Sequence, residues 1–194
     1  MGKVPATRQL ILDQALSLVR TIGFESVSIG VLADKVGMSK SGLFAHFKSK
    51  ESLQIMVLEH ASSMFVKKVV LPSIKKQRGR VRLEAIISAW IKWSMEEEGG
   101  SCPLISAAIE FDDRPGPVKD RVREQFSELH QTIKRAVDIC IEERDFSKKA
   151  DSDQVAQEIF GHVMAFHLYK KTIAAKDAGT RFNRAIKNLL DSLK

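Results

Sequence analysis

Apolar residues recur every three or four positions along most of this chain. From Ala6 to Gly23 they fall at Leu10, Ile11, Ala15, Leu18, Val19 and Ile22, which is the spacing of one apolar helix face. Gly23 suits the end of that helix. "FESVS" then makes a short connection, with Ser28 placed as an N-cap. Ile29 to Val36 leaves room for about two helical turns. Gly37 breaks the run, Ser39 caps again, and Lys40 to His46 forms a second short helix. Ser49 opens a long helix through about Val70, where Pro72 ends it. Val81 to Met95 is periodic up to "EEEGG". Cys102 to Phe111 is a short apolar segment, closed by "DDRPGP" as a turn. Pro117 suits the first turn of a long amphipathic helix marked by Val118, Val122, Phe126, Leu129, Ile133, Val137 and Cys140 or Ile141. Asp151 with Gln154 reads as a capping box before Val155, Ile159, Val163 and Phe166. Gly179 precedes a last helix carrying Phe182, Ile186, Leu189, Leu190 and Leu193. Strand-type alternation is missing, so the expected fold class is all-α, with no internal repeat and no long linker.

Composition narrows the function classes. Of the 194 residues, 44 % are apolar and 28 % charged, enough to bury a real core. No apolar run approaches the roughly 20 residues of a membrane span. "MGKVPATRQL" lacks the apolar centre of a signal peptide. A cytoplasmic protein with no membrane partner is expected. Cys102 and Cys140 lie far apart and read as reduced thiols. No Cys/His/Asp cluster has ligand spacing, so neither a metal nor a cofactor is expected. No nucleophile–base pair, paired carboxylates or phosphate-cradling glycine loop stands out, so catalysis is not expected.

Charge changes the picture more. The net charge is +7. It is densest in the first quarter, where Lys3, Arg8, Arg20, Lys35, Lys40, Lys48 and Lys50 face only Asp13, Glu25 and Asp34. An anionic partner is expected there. The basic run Lys67, Lys68, Lys75, Lys76 and Arg78 reads as solvated surface.

The stretch "SIGVLADKVGMSKSGLFAHF" has the build of a helix-turn-helix. Ala33 is small enough to let the second helix approach, and Gly37 can take the left-handed conformation of the tight turn. Ile29, Leu32, Val36, Met38, Leu43 and Phe47 can fill a small core. Lys40, Ser41, Gly42, Phe44 and His46 are then left to face outward, where small residues let the backbone sit deep in a DNA major groove. The helix starts behind Ser28 and Ser49 can offer N–H groups to phosphates.

From about Thr7 to Leu53 the chain resembles the DNA-binding domain of the TetR family of bacterial transcriptional regulators. The resemblance rests on "ILDQAL", "GFESVSI" and "LADKVGMSKSGLFAHFKSKESL". "GGSCPLISAAIEFDDRPGPVKD" looks like one subgroup of the family's C-terminal domains. The resemblance implies a homodimer on a palindromic double-stranded operator, a small-molecule effector bound in the C-terminal domain, and release from DNA on effector binding, most simply as a repressor. Its domain division is residues 1–50 for DNA binding and 51–194 for regulation and dimerisation. Lys50 matches the lysine that meets a phosphate at the start of the fourth helix. Ser39, Lys40, Ser41, Gly42 and His46 match the recognition segment. Phe44 stands where the family usually has Tyr, which removes a hydroxyl. Gly30 and Val31 stand where polar residues are common.

For the regulatory half, Trp90, Trp93, Phe111, Phe126, His130, Phe160 and Met164 are the candidates to line an effector pocket. Ile159, Val163, Phe166, Phe182, Ile186 and Leu190 form the candidate dimer stripe, with packing inside one chain as the competing use. A DNA-binding protein without an effector, architectural or gated by a protein partner, is the second functional reading.

Overall fold

The computed structural model describes residues 4–95 and 101–194. The "EEEGG" terminator and Lys3 lie outside the described residues. Those that are described are helical and include no strand. The helices are α1 (Val4–Ile22), α2 (Ile29–Val36), α3 (Lys40–Phe47), α4 (Lys50–Phe65), α5 (Leu71–Ile74), α6 (Arg80–Ser94), α7 (Pro103–Glu110), α8 (Pro117–Glu142), α9 (Ser152–Lys171) and α10 (Ala178–Ser192).

Local chemistry explains most boundaries. Gly23 ends α1 with φ +81°, and Gly37 ends α2 in the left-handed region at φ +68°. Ser28 Oγ accepts from Val31 N–H at 3.2 Å, Ser39 Oγ from Gly42 N–H at 3.1 Å, and Ser49 Oγ from Ser52 N–H at 3.0 Å. Three successive helices thus begin on a capping serine. Asp151 caps α9 by accepting from the N–H groups of Asp153 and Gln154. The Gln154 side chain does not return to close the box; it donates to Glu158 at 2.7 Å.

Two boundaries differ from expectation. The α-helix opened by Ser49 stops at Phe65, and Val66–Val70 continues as a π-helix. Pro72 then falls in the first turn of α5 instead of ending a helix. A proline lacks only an N–H that the first turn does not use, so the start of a fresh helical segment tolerates it. In α10, Gly179 lies inside the first turn, since the helix begins at Ala178.

The chain divides into two compact units. One holds the chain up to Phe65 with Ser94–Phe126; the other holds Val66–Trp93 with Ser127–Lys194.

In the first unit, α1 packs on α2, α4 and α7, and α3 packs on α2 and α4. Its centre is Ile11, Ala15, Val19, Phe24, Val27, Leu32, Leu43, Phe47, Leu53 and Val57, all buried. Leu10 and Ile22, at the edges of the α1 stripe, are exposed. Ile29, Val36 and Met38 are half-buried. Two polar bonds fix α4: His60 Nε2 donates to Asp13 at 2.7 Å, and Gln54 donates to the Phe24 carbonyl at 3.2 Å.

In the second unit, α9 packs along α10, with Phe166 and Phe182 rings 5.5 Å apart. Arg80 ties the start of α6 to the end of α10. Its guanidinium reaches Asp191 at 2.7 Å and the Leu190 carbonyl at 3.3 Å, while its own N–H donates to Asp145 at 2.6 Å.

Candidate nucleic-acid interface

The helix α3 has two unlike faces. Leu43 and Phe47 are fully buried. Lys40, Ser41 and Phe44 are exposed, and Gly42 and His46 are half-exposed. Phe44 is 55 % exposed, too open for a core residue. The outward face therefore carries a cation, a hydroxyl, an imidazole and an aromatic ring, with a glycine among them. Such a surface can donate to base edges and phosphates and can touch a thymine methyl group.

Neighbouring residues shape this face. The Ser39 hydroxyl, exposed at the N-cap, is held by Gly42 N–H and by Ser41 Oγ at 3.2 Å. A Cβ on Gly42 would sit 3.1 Å from Ser39 Oγ, so glycine there leaves room for the cap. A Cβ on Gly30 would meet Lys40 Cε at 3.3 Å. The aliphatic stem of Lys40 passes over Gly30, which accounts for a small residue on α2 at that place. Lys48 ends α3 with φ +60°, a left-handed conformation unusual for a side chain other than glycine. Ser28, half-exposed, holds its cap on α2.

Lys50 stands at the first residue of α4, and its ammonium donates to Glu25 at 2.7 Å. Arg114 reaches the other oxygen of Glu25 at 2.8 Å. The hydrogen bond from Lys50, backed by the charges of Lys50 and Arg114, holds the Glu25 carboxyl below the usual range. The sequence reading missed Glu25, Glu110 and Arg114. They sit beside the expected phosphate contact but come from distant segments, with no local spacing to announce them.

The pocket candidates are drawn from both units. Trp90 meets Phe160 edge-on with centroids 5.2 Å apart, and the His130 ring lies 6.0 Å from Phe160. His130 Nε2 also donates to Asp153 at 3.2 Å. Trp93 is buried and Met164 half-buried in the same unit. Phe111 belongs to the first unit, where it meets Phe24 edge-on at 6.2 Å, and half-buried Phe126 falls in that unit too. Cys140 is buried, and burial together with the Asp145 carboxylate pushes its thiol up to about 12.

All six stripe residues, Ile159, Val163, Phe166, Phe182, Ile186 and Leu190, are buried within the single chain. Beside them runs a groove of about 190 Å³ lined by His162, Ala165, Phe166, Tyr169, Ala178, Arg181, Phe182 and Ala185. Ala165 and Tyr169 are exposed along it. No helix among the described residues is long and apolar enough to cross a membrane.

Comparison with known proteins fits this geometry. Residues 11–55 match the family described as bacterial regulatory proteins, tetR family, and residues 79–186 match the tetracyclin repressor-like C-terminal domain. A nucleoid occlusion factor, SlmA, from Marinobacter nauticus is 23 % identical over 133 residues, 69 % of this chain and 67 % of that protein. A TetR transcriptional regulator from Chloroflexus aurantiacus superposes with a TM-score of 0.83 at 23 % identity, over 98 % of this chain and 96 % of that one. The structure of AibR in complex with isovaleryl coenzyme A and operator DNA superposes with a TM-score of 0.70 at 18 % identity, over 95 % of this chain and 96 % of that one. The chain is a DNA-binding transcriptional regulator, not an enzyme, and belongs to the TetR family.

Proposed function

We propose that this protein acts as a homodimer on a palindromic operator and is released from it, as a repressor, by a small molecule. The observation that carries the reading is the two-faced helix α3, held by Leu43 and Phe47 and presenting Lys40, Ser41, Gly42, Phe44 and His46, with Lys50 beside it. On this reading Ser39 and Ser28 shape the approach through their caps. Ser41 and His46 read bases, Phe44 packs on sugar or a thymine methyl, and Lys50 meets a phosphate. Residues 1–50 carry DNA binding, and 51–194 carry regulation and dimerisation. The effector site draws on Trp90, His130 and Phe160, the rings already gathered in one cluster. The AibR structure holds isovaleryl coenzyme A and operator DNA together, which supports an effector-gated operator binder.

The test separates grip from reading. Lys50→Ala should weaken binding by a similar factor on every sequence and lower the salt slope by about one phosphate contact. Ser41→Ala or His46→Ala should change which sequence is preferred. DNA binding indifferent to all three substitutions would show that the recognition face lies elsewhere.

The likeness to SlmA, named as a nucleoid occlusion factor, favours a second reading without a small-molecule effector. On that reading a protein partner gates the protein or the protein organises DNA. Operator release by added metabolites separates the two, since only the first reading expects it.

A further inference from the structure

Glu25 has an unusual set of neighbours for a half-exposed carboxylate. Its backbone N–H donates to Glu110 Oε2 at 2.8 Å, and the preceding N–H, of Phe24, donates to Glu110 Oε1 at 3.1 Å. One carboxylate at the end of α7 thus holds the turn between α1 and α2. A Cβ on Gly23 would fall 2.8 Å from Glu110 Oε1, so the fit is close. The side chain of Glu25 faces two cations, Lys50 at 2.7 Å and Arg114 at 2.8 Å. Arg114 comes from the turn between α7 and α8, where Pro115, Gly116 at φ +135° and Pro117 follow it.

Glu25 competes with DNA for Lys50. To meet a phosphate, the Lys50 ammonium must leave or share its carboxylate. If Glu25 had no other cation, that move would strand a negative charge beside an incoming negative phosphate. Arg114 supplies the other cation. We propose that Arg114 is a positioning residue for DNA binding: by neutralising Glu25 it frees Lys50 for the operator phosphate. The inference rests on the reading of Lys50 as a phosphate contact. It also names a route for regulation. Any change that draws the α7–α8 turn away from Glu25 returns the carboxylate to Lys50 and weakens the grip on DNA.

Lys50, Glu25 and Arg114 are 41 %, 47 % and 55 % exposed, so solvent screens the competition. The effect should be several-fold. A double-mutant cycle reads it, with affinity for duplex DNA measured across a range of KCl concentrations and folding checked by thermal melting. Arg114→Met should weaken binding by about three- to fivefold when Glu25 is present and by less than about twofold in Glu25→Gln. Arg114→Lys should keep near-native affinity. An equal cost of Arg114→Met with Glu25 and with Gln at that position would overturn the proposal, because a direct contact or a general charge effect needs no Glu25. Unchanged affinity and salt slope in Lys50→Ala would instead remove the phosphate reading and the proposal with it. A lasting Lys50→Ala defect beside a silent Arg114→Met would remove the proposal alone.

Discussion

Serine does the same work at three helix starts in a row, and the middle one matters most. Ser39 caps α3, the proposed recognition helix, and its hydroxyl also touches Ser41. Ser39→Ala should lower stability by about 1 kcal/mol in urea unfolding. It should weaken operator binding more than Ser28→Ala does, because only Ser39 also orients an outward-facing hydroxyl. Gln125 makes the opposite case. It is 4 % exposed on α8, and neither side-chain polar atom finds a hydrogen-bond partner among the described residues. A buried, unpaired amide destabilises a fold, and an apolar residue of similar shape removes that penalty. Gln125→Leu should therefore leave the melting temperature unchanged or raise it; a drop of several degrees would mean that the amide is paired in solution.

At the scale of elements, α7 is the piece whose role was least visible beforehand. Its apolar run and its closing turn were legible, because Pro117 and "DDRPGP" act through local backbone geometry. Its carboxylate clamp was not. Glu110 works on residues 85 and 86 positions away, and no periodicity carries information across that distance. Glu110→Ala should cost about 1–3 kcal/mol, the penalty for leaving donors unpaired, in chemical unfolding, and should also lower DNA affinity by loosening the α1–α2 turn. The capped helices α2, α3 and α4 were readable for the converse reason: each cap acts within three residues. The π-helical Val66–Val70 escaped because one added residue in a turn leaves the apolar spacing almost unaltered. For α9 and α10, spacing told which residues are buried and not against what. Ile159, Val163, Phe166, Phe182, Ile186 and Leu190 are covered by their own chain. The face left beside them, with Ala165, Tyr169 and Ala185, follows the same helical spacing one strip over.

For the whole molecule, the proposed dimer needs that remaining face. Ala165→Glu places a charge on an exposed position of the α9 groove, away from the buried stripe. It should shift the protein toward monomer in sedimentation velocity and weaken binding to a two-site operator far more than to a single half-site. A dimer that survives Ala165→Glu unchanged would place the interface on another surface. On the proposed function, α3 reads sequence and the protein does so in pairs. Selection of the purified protein on random duplex DNA, followed by sequencing, tests both at once. The expected result is an enriched palindrome whose half-sites lie about one helical turn apart, near 34–36 Å. Salt-sensitive binding with no enriched site would contradict it.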